Sequence, residues 1–221
     1  MNGEKLPRTD RSKLQRFADR GSFDMQLIRE ILREGLFCHV GFQSDGQVFV
    51  IPTAYALMDD SLLIHGSVKS RLMRHLASGA EACVTVTLLD GLVLARSTFH
   101  HSMNYRSVVI FGHATSIRAP ERKRQALEAL VEHLIPGRST DARDPTDQEL
   151  SATEIVEIPI EEGSAKVRTG PPSDDAEDIS LMIWAGEVPL YLDASAPIPA
   201  PDLETGIAVP AYVSTYHRPG G

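Results

Sequence analysis

The stretch LFCHVGFQSDGQVFVIPTAYALMDDSLLIHGS, residues 36–67, decides the fold class. Three β-rich runs are separated by Ser44-Asp45-Gly46 and Asp59-Asp60. Asp and Gly accept the left-handed backbone of a tight hairpin turn, so the stretch predicts an antiparallel meander. The pattern then changes period. Val68, Leu72 and Leu76 recur at i, i+4 and i+8 and predict a helix that starts after Gly66 and stops at Gly79. Upstream, SFDMQLIREILREG (22–35) puts Phe23, Leu27, Ile28, Ile31 and Leu32 on one helical face. Ser22 serves as its N-cap, Asp24 lies in its first turn and Gly35 is its stop.

Downstream, EACVTVTLLDG (81–91) and NYRSVVIFGHATSI (104–117) read as strands. Pro120 opens a third helix, ERKRQALEALVEHLIPG, with Leu127, Leu130, Val131 and Leu134 as its apolar stripe. STDARDPTDQEL (139–150) reads as a solvated loop, TEIVEIPIEEGSAKVRTG (153–170) as one or two strands, and PPSDDAEDIS (171–180) as a second loop. LMIWAGEVPLYLDAS (181–195) is apolar and carries the single tryptophan, Trp184. Successive strands joined by tight turns, with about three helices, are not βαβ repeats. The fold class is mainly β with helices (α+β), an antiparallel barrel with helices packed around it. Residues 1–20 form a polar N-terminal arm, 21–195 the barrel domain, and 196–221 a Pro/Ala-rich C-terminal tail.

Composition narrows the function classes. The 221 residues are 42% hydrophobic and 24% charged, with a net charge of −8. That balance suits a soluble globular protein and argues against nucleic-acid binding. The N-terminus lacks the apolar core of a signal peptide, and no stretch approaches the ~18 apolar residues of a membrane span. Cys38 and Cys83 sit in strand-like apolar runs and read as buried free thiols, which fits a cytoplasmic location.

The junction HGSVKSR (65–71) is the first candidate for chemistry. A helix start presents unpaired N–H groups, Gly66 permits close approach, and Ser67, Ser70 and Arg71 supply donors, which suits an anion. The same residues also read as a plain N-cap followed by a solvated basic face. SMNYRSV (102–108) is the second. Strand alternation sends Asn104 and Arg106 to one face, and Tyr105 and Ser107 to the other, with Ser102 at the entry. A strand-start arginine beside hydroxyls suits a phosphate edge or a flavin rim, or equally a surface arginine with an edge tyrosine. His100, His101 and His113 chelate one metal poorly at that spacing, so no metal is expected. No nucleophile elbow, P-loop or GxGxxG is present.

Three stretches taken in order carry a resemblance: VIPTAYALMDDSLLIHGSVKSRLMRHL (50–76), LVLARSTFHHSMNYRSVVIFG (92–112), and SAKVRTGPP (164–172) with Asp174-Asp175 and WAGEVPL (184–190). Over about residues 20–195 the chain resembles the flavin-nucleotide-binding branch of the pyridoxamine 5'-phosphate oxidase-like superfamily, which includes nitroimidazole reductases. The resemblance implies an FMN-binding split barrel working as a homodimer, with flavin sites at the subunit interface. It places Pro52, Thr53 and Tyr55 along the isoalloxazine ring. Ser67, Ser70 and Arg71, above Gly66, would hold the phosphate, with His65 near the flavin as the one candidate proton donor. Ser102, Asn104, Tyr105, Arg106 and Ser107 would face the cofactor. Trp184 would pack on the ring edge, at the interface or in the core, and Lys166 and Arg168 would contact phosphate or adenylate. The expected function is an FMN-dependent oxidoreductase acting on a small molecule, with FAD as the alternative cofactor. A non-catalytic flavin- or haem-binding module is the alternative function. The tail, with one late arginine, lacks the basic cluster that a true pyridoxamine phosphate oxidase uses for its substrate, which argues against that activity.

Overall fold

A computed structural model describes residues 4–217; the outer ends of the N-terminal arm and the C-terminal tail, including the late arginine, lie outside the described residues. In chain order the strands are β1 (Gly21–Ser22), β2 (Phe37–Ser44), β3 (Gln47–Ala54), β4 (Ala56–Met58), β5 (Ser61–Ser67), β6 (Glu81–Leu94), β7 (Ser102–His113), β8 (Thr115–Ser116), β9 (Thr153–Pro159), β10 (Glu162–Arg168) and β11 (Gly186–Pro189). The helices are α1 (Met25–Glu34), α2 (Arg71–Ala77), α3 (Pro120–Leu134), α4 (Asp147–Ala152) and α5 (Ala211–Ser214).

Two antiparallel sheets make a split barrel. The larger runs β1-β10-β7-β6-β2-β3, with β11 added to the far half of β6, and the smaller runs β4-β5-β9-β8. The expected turns are present: Asp45 and Gly46 (φ 51° and 75°), and Asp59 and Asp60 (φ 48° and 58°), carry the left-handed backbone. At Tyr55 the chain leaves the large sheet, where β3 pairs with β2, and enters the small one, where β4 pairs with β5.

The interior between the sheets is filled by alternate residues of β2, β6 and β7 (Cys38, Val40, Val84, Val86, Val108, Ile110) and closed by Ile28, Ile31 and Leu32 of α1. A second cluster, Leu63, Ile117, Ala126, Leu130 and Ile155, packs α3 on the outer face of the small sheet. Both cysteines are free. Burial pushes the Cys38 thiol up to about 12 and raises Cys83 as well.

Several boundaries depart from the periodicity. Asp24, not Ser22, caps α1, accepting from the Leu27 N–H at 3.0 Å, because Ser22 is drawn into β1 beside Ala165. The helix expected after Gly66 begins at Arg71 with Ser70 as its N-cap, because β5 keeps pairing with β9 through Ser67↔Thr153. Val68 is consequently exposed instead of lying on an apolar face. The stripe of α3 centres on Ala126 and Leu130; Val131 and Leu134 are only half-buried. The expected loop at 139–150 contains α4, whose Thr146–Glu149 capping box was legible as T-x-x-E. The N-terminal arm is docked: Arg11 reaches Glu81 and Glu162, and the Leu6 N–H bonds the Phe23 carbonyl at 2.9 Å.

Backbone proximity across β7 and β10 yields a test. A Cβ at Gly163 would lie 2.5 Å from the Val109 carbonyl oxygen, whereas one at Gly41 would meet nothing nearer than 3.6 Å. Gly163→Ala should cost about 1–3 kcal/mol by overpacking. Gly41→Ala should change stability by less than about 0.5 kcal/mol, within the usual range for substitutions that strain nothing. Urea unfolding of both variants checks this.

Candidate functional site

β3 and β5, which carry the first two candidate groups, contact each other. Pro52 is exposed, and Thr53 is half-buried with its hydroxyl donating to the Ala54 carbonyl at 3.3 Å. His65, half-buried on β5, has a buried Nδ1 without a hydrogen-bond partner. Burial holds its imidazole below the ordinary histidine range, so the ring is neutral at pH 7. Gly66 follows. A Cβ there would meet Met73 Cγ at 2.9 Å, so any larger residue would have to displace the Met73 side chain. Ser67 is exposed, its hydroxyl accepting from the Lys69 N–H at 3.2 Å. Ser70 caps α2 through its backbone alone and makes no side-chain cap bond. The Arg71 guanidinium lies over the Phe49 ring, 4.5 Å from its centroid. His65, Ser67, Ser70 and Arg71 thus offer polar groups at one end of the barrel.

Tyr55 is placed differently from the expectation. It is fully buried, its hydroxyl donates to the Leu32 carbonyl at 2.6 Å, and its ring packs 4.9 Å from that of His133. Strand alternation at the sheet crossing turns it inward, so it supports the wall from behind rather than lying along a ligand.

The second group is a wall already committed to internal bonds. Arg106 pairs with both Glu34 of α1 and Asp90 of β6, through Nη2 at 2.8 and 2.7 Å and through Nη1 and Nε. Asp90 sits at the bulge between Leu89 and Gly91. Asn104 is buried, donating to Glu187 of β11 at 2.5 Å and accepting from Arg168. Arg168 also donates to the Gly170 and Pro171 carbonyls at 2.8 and 3.0 Å. It pins the turn after β10, which replaces the expected phosphate or adenylate contact. Ser107 donates to the Lys166 carbonyl at 3.3 Å, while Ser102 and Tyr105 are half-buried. Lys166 faces Ser107 across the β10–β7 ladder.

Sequence reasoning missed the strap beyond this wall. Asp174 accepts from Arg96 through the backbone N–H at 2.8 Å and Nη1 at 2.7 Å, and His100 lies 3.1 Å from Asp175. Paired aspartates after GPP, with an arginine following the apolar run LVLA, were the legible signal. Trp184 is 67% exposed, which excludes burial in the core of this chain; its ring lies against Gly186. Among the described residues no group of three or more His, Cys, Asp or Glu side chains is arranged for a metal ion. No helix there is long and apolar enough to cross a membrane.

Comparison with known proteins gives the chain relatives. A family model described as pyridoxamine 5'-phosphate oxidase matches residues 24–167. The flavocytochrome Anf3 from Azotobacter vinelandii is 36% identical with a TM-score of 0.87, covering 93% of this chain and 95% of that one. An FAD and heme binding protein from Mycobacterium smegmatis is 39% identical with a TM-score of 0.84, covering 88% and 95%. A 5-nitroimidazole antibiotic resistance protein from Bacteroides thetaiotaomicron shares the fold at 24% identity and a TM-score of 0.55, covering 65% and 84%. No curated protein sequence matches the chain.

The buried histidines give a pH test. Burial lowers both His65 and His133 below their ordinary 6.5, offset for His133 by the Gly35 carbonyl. The unfolded chain therefore takes up protons first. Their contribution to stability is complete above about pH 6.5 and is lost as pH falls from there through the lower folded-state values. The urea midpoint should drop between pH 7 and 5.5, and the double variant His65→Gln, His133→Gln should flatten that slope.

Proposed function

Because the chain belongs to the pyridoxamine 5'-phosphate oxidase family, we propose that it is a flavin-binding oxidoreductase of small molecules. The observation that carries this reading is the run of an unpartnered buried His65 Nδ1, the exposed Ser67, a Ser70 hydroxyl free of any cap bond and the Arg71 guanidinium over the end of β5 and the start of α2. These residues fit a phosphate-bearing flavin: Ser67, Ser70 and Arg71 would hold its phosphate, and His65 would meet its polar edge. Bound there, the flavin supplies hydride or electron transfer. The chain's own groups bind it, orient it and shed water; a neutral His65 is suited to giving or taking a proton.

FAD is better supported than FMN, because a relative 39% identical over nearly all of its length is an FAD and heme binding protein. That relative and the flavocytochrome also support a second reading, in which the chain binds haem as well. A histidine would hold haem iron through a neutral imidazole nitrogen, and in this second reading His65, with its buried Nδ1 unpartnered, would serve the haem in place of the flavin edge. Homodimerisation with the flavin at the interface is part of the proposal. Val48, Val50, Phe37 and Trp184 are 76, 63, 56 and 67% exposed, more apolar surface than a monomer usually shows. Light scattering should report a dimer.

The purified protein should be yellow, and denaturation should release a flavin; a colourless chain that neither FMN nor FAD reconstitutes would remove the proposal. An added haem band that His65→Ala abolishes, with flavin retained, would establish the second reading. Arg71→Ala removes a charge-assisted contact worth ~1.5–3 kcal/mol, so FMN should bind roughly ten- to a hundredfold more weakly. Riboflavin, which lacks the phosphate, should be unaffected.

A further inference from the structure

We propose that the cleft between the β2–β3 turn and α2 binds an adenosine 5'-phosphate group. That group is either the adenylate half of FAD or the adenylate of a free pyridine dinucleotide. The FAD arm rests on the flavin reading; the pyridine nucleotide arm does not.

The cleft encloses about 410 Å³, within the ~300–1,000 Å³ usual for ligand pockets. Three elements line it: Asp45 comes from the turn, Gln47 and Phe49 from β3, and Arg71, Arg74 and His75 from α2. Positions i and i+3 put Arg71 and Arg74 on one face of the helix. In a chain with a net charge of −8, eight arginines are paired with carboxylates: Arg11, Arg29, Arg96, Arg106, Arg118, Arg122, Arg124 and Arg143. Among the described residues Arg71 and Arg74 have none, and they share this cleft. Two guanidinium groups lining one cleft attract an anion into it.

The remaining lining distinguishes a nucleotide from a bare anion. Phe49 stacks on Phe42 at 5.3 Å, and the Arg71 guanidinium lies over the Phe49 ring at 4.5 Å; aromatic rings and guanidinium planes are the groups on which a purine stacks. His75 closes the inner side, 4.5 Å from Phe42 with its Nε2 at 3.1 Å from the Glu81 carbonyl. Gln47 offers the paired donor and acceptor that match an adenine edge. Asp45, whose carboxylate is bonded at 3.2 Å by the Ser44 hydroxyl, is an acceptor for ribose hydroxyls. Arg71 would serve both the flavin-side phosphate and this pocket, whereas Arg74 belongs to the pocket alone. That difference separates the two sites.

The test uses the full chain and two variants, Arg74→Ala and Phe49→Leu, each checked for folding by circular dichroism. AMP should bind to the wild type in a calorimetric titration and about tenfold more weakly to Arg74→Ala, the loss expected for one charge-assisted contact. If the source is FAD, both variants should weaken FAD about tenfold and leave FMN within about twofold. If it is a pyridine dinucleotide, FAD affinity should hold and the KM for NADH or NADPH should rise. AMP that fails to bind at millimolar concentration, or equal losses of FAD and FMN in Arg74→Ala, would overturn the proposal while leaving the flavin reading intact. AMP binding that depends on Arg74 in a chain that takes up neither flavin would retain the pocket and remove the flavin reading.

Discussion

The β6–β7 hairpin is the constraint from which the rest of the molecule hangs. Its ladder runs from Glu81↔His113 to Val93↔Ser102, and β10, β2 and β11 all attach to its two edges. A ladder that long accumulates twist, and the bulge between Leu89 and Gly91 is where it bends. The bend aims Asp90 at Arg106, and Glu34 completes the clamp from α1. A single guanidinium therefore fixes the kink of the hairpin to the helix that closes the barrel. Loss of either carboxylate would leave the other paired, whereas loss of the arginine would set two carboxylates beside each other in a half-buried site.

Polar groups in this chain divide into those that are spent and those that are not. Arg106, Arg168, Asn104 and Asp174 are consumed in holding the wall and the strap that follows it. Arg71, Arg74, Ser70 and His65 Nδ1 keep unused bonding capacity, and all four lie on β5, on α2 or between them. Folding free energy explains the first set completely. It does not explain the second, because an orphaned buried nitrogen and two adjacent cations cost stability in the isolated chain. These are the residues that the proposed function would have a ligand engage.

Much of the fold was legible because period and turn chemistry agreed. Asp45-Gly46 and Asp59-Asp60 announced the hairpins, and the meander followed. Boundaries set by distant pairing were not legible: nothing within HGSVKSR says that Ser67 will lie opposite Thr153 in the ladder and delay the helix to Arg71. For the candidate site, the residue types in HGSVKSR pointed to an anion. Local alternation could not tell that Tyr55 turns inward at the crossing between sheets. It also could not reveal that Arg106 and Arg168 already own their partners, Glu34, Asp90 and the Gly170 carbonyl, which lie far away in sequence or in a turn. The Phe49–Arg74 cleft joins a strand to a helix through a gap in sequence that no motif spans.

The burial of the thiols has a practical side. Cys38 and Cys83 titrate well above neutrality, so little thiolate is present to attack a maleimide or to react with peroxide. The native chain is close to silent toward thiol-directed reagents. A cysteine introduced on the exposed strap, at Met182 or Trp184, would then be the dominant reactive group. A single spin label or fluorophore could be placed there without deleting either native cysteine, and would report on that strap in solution.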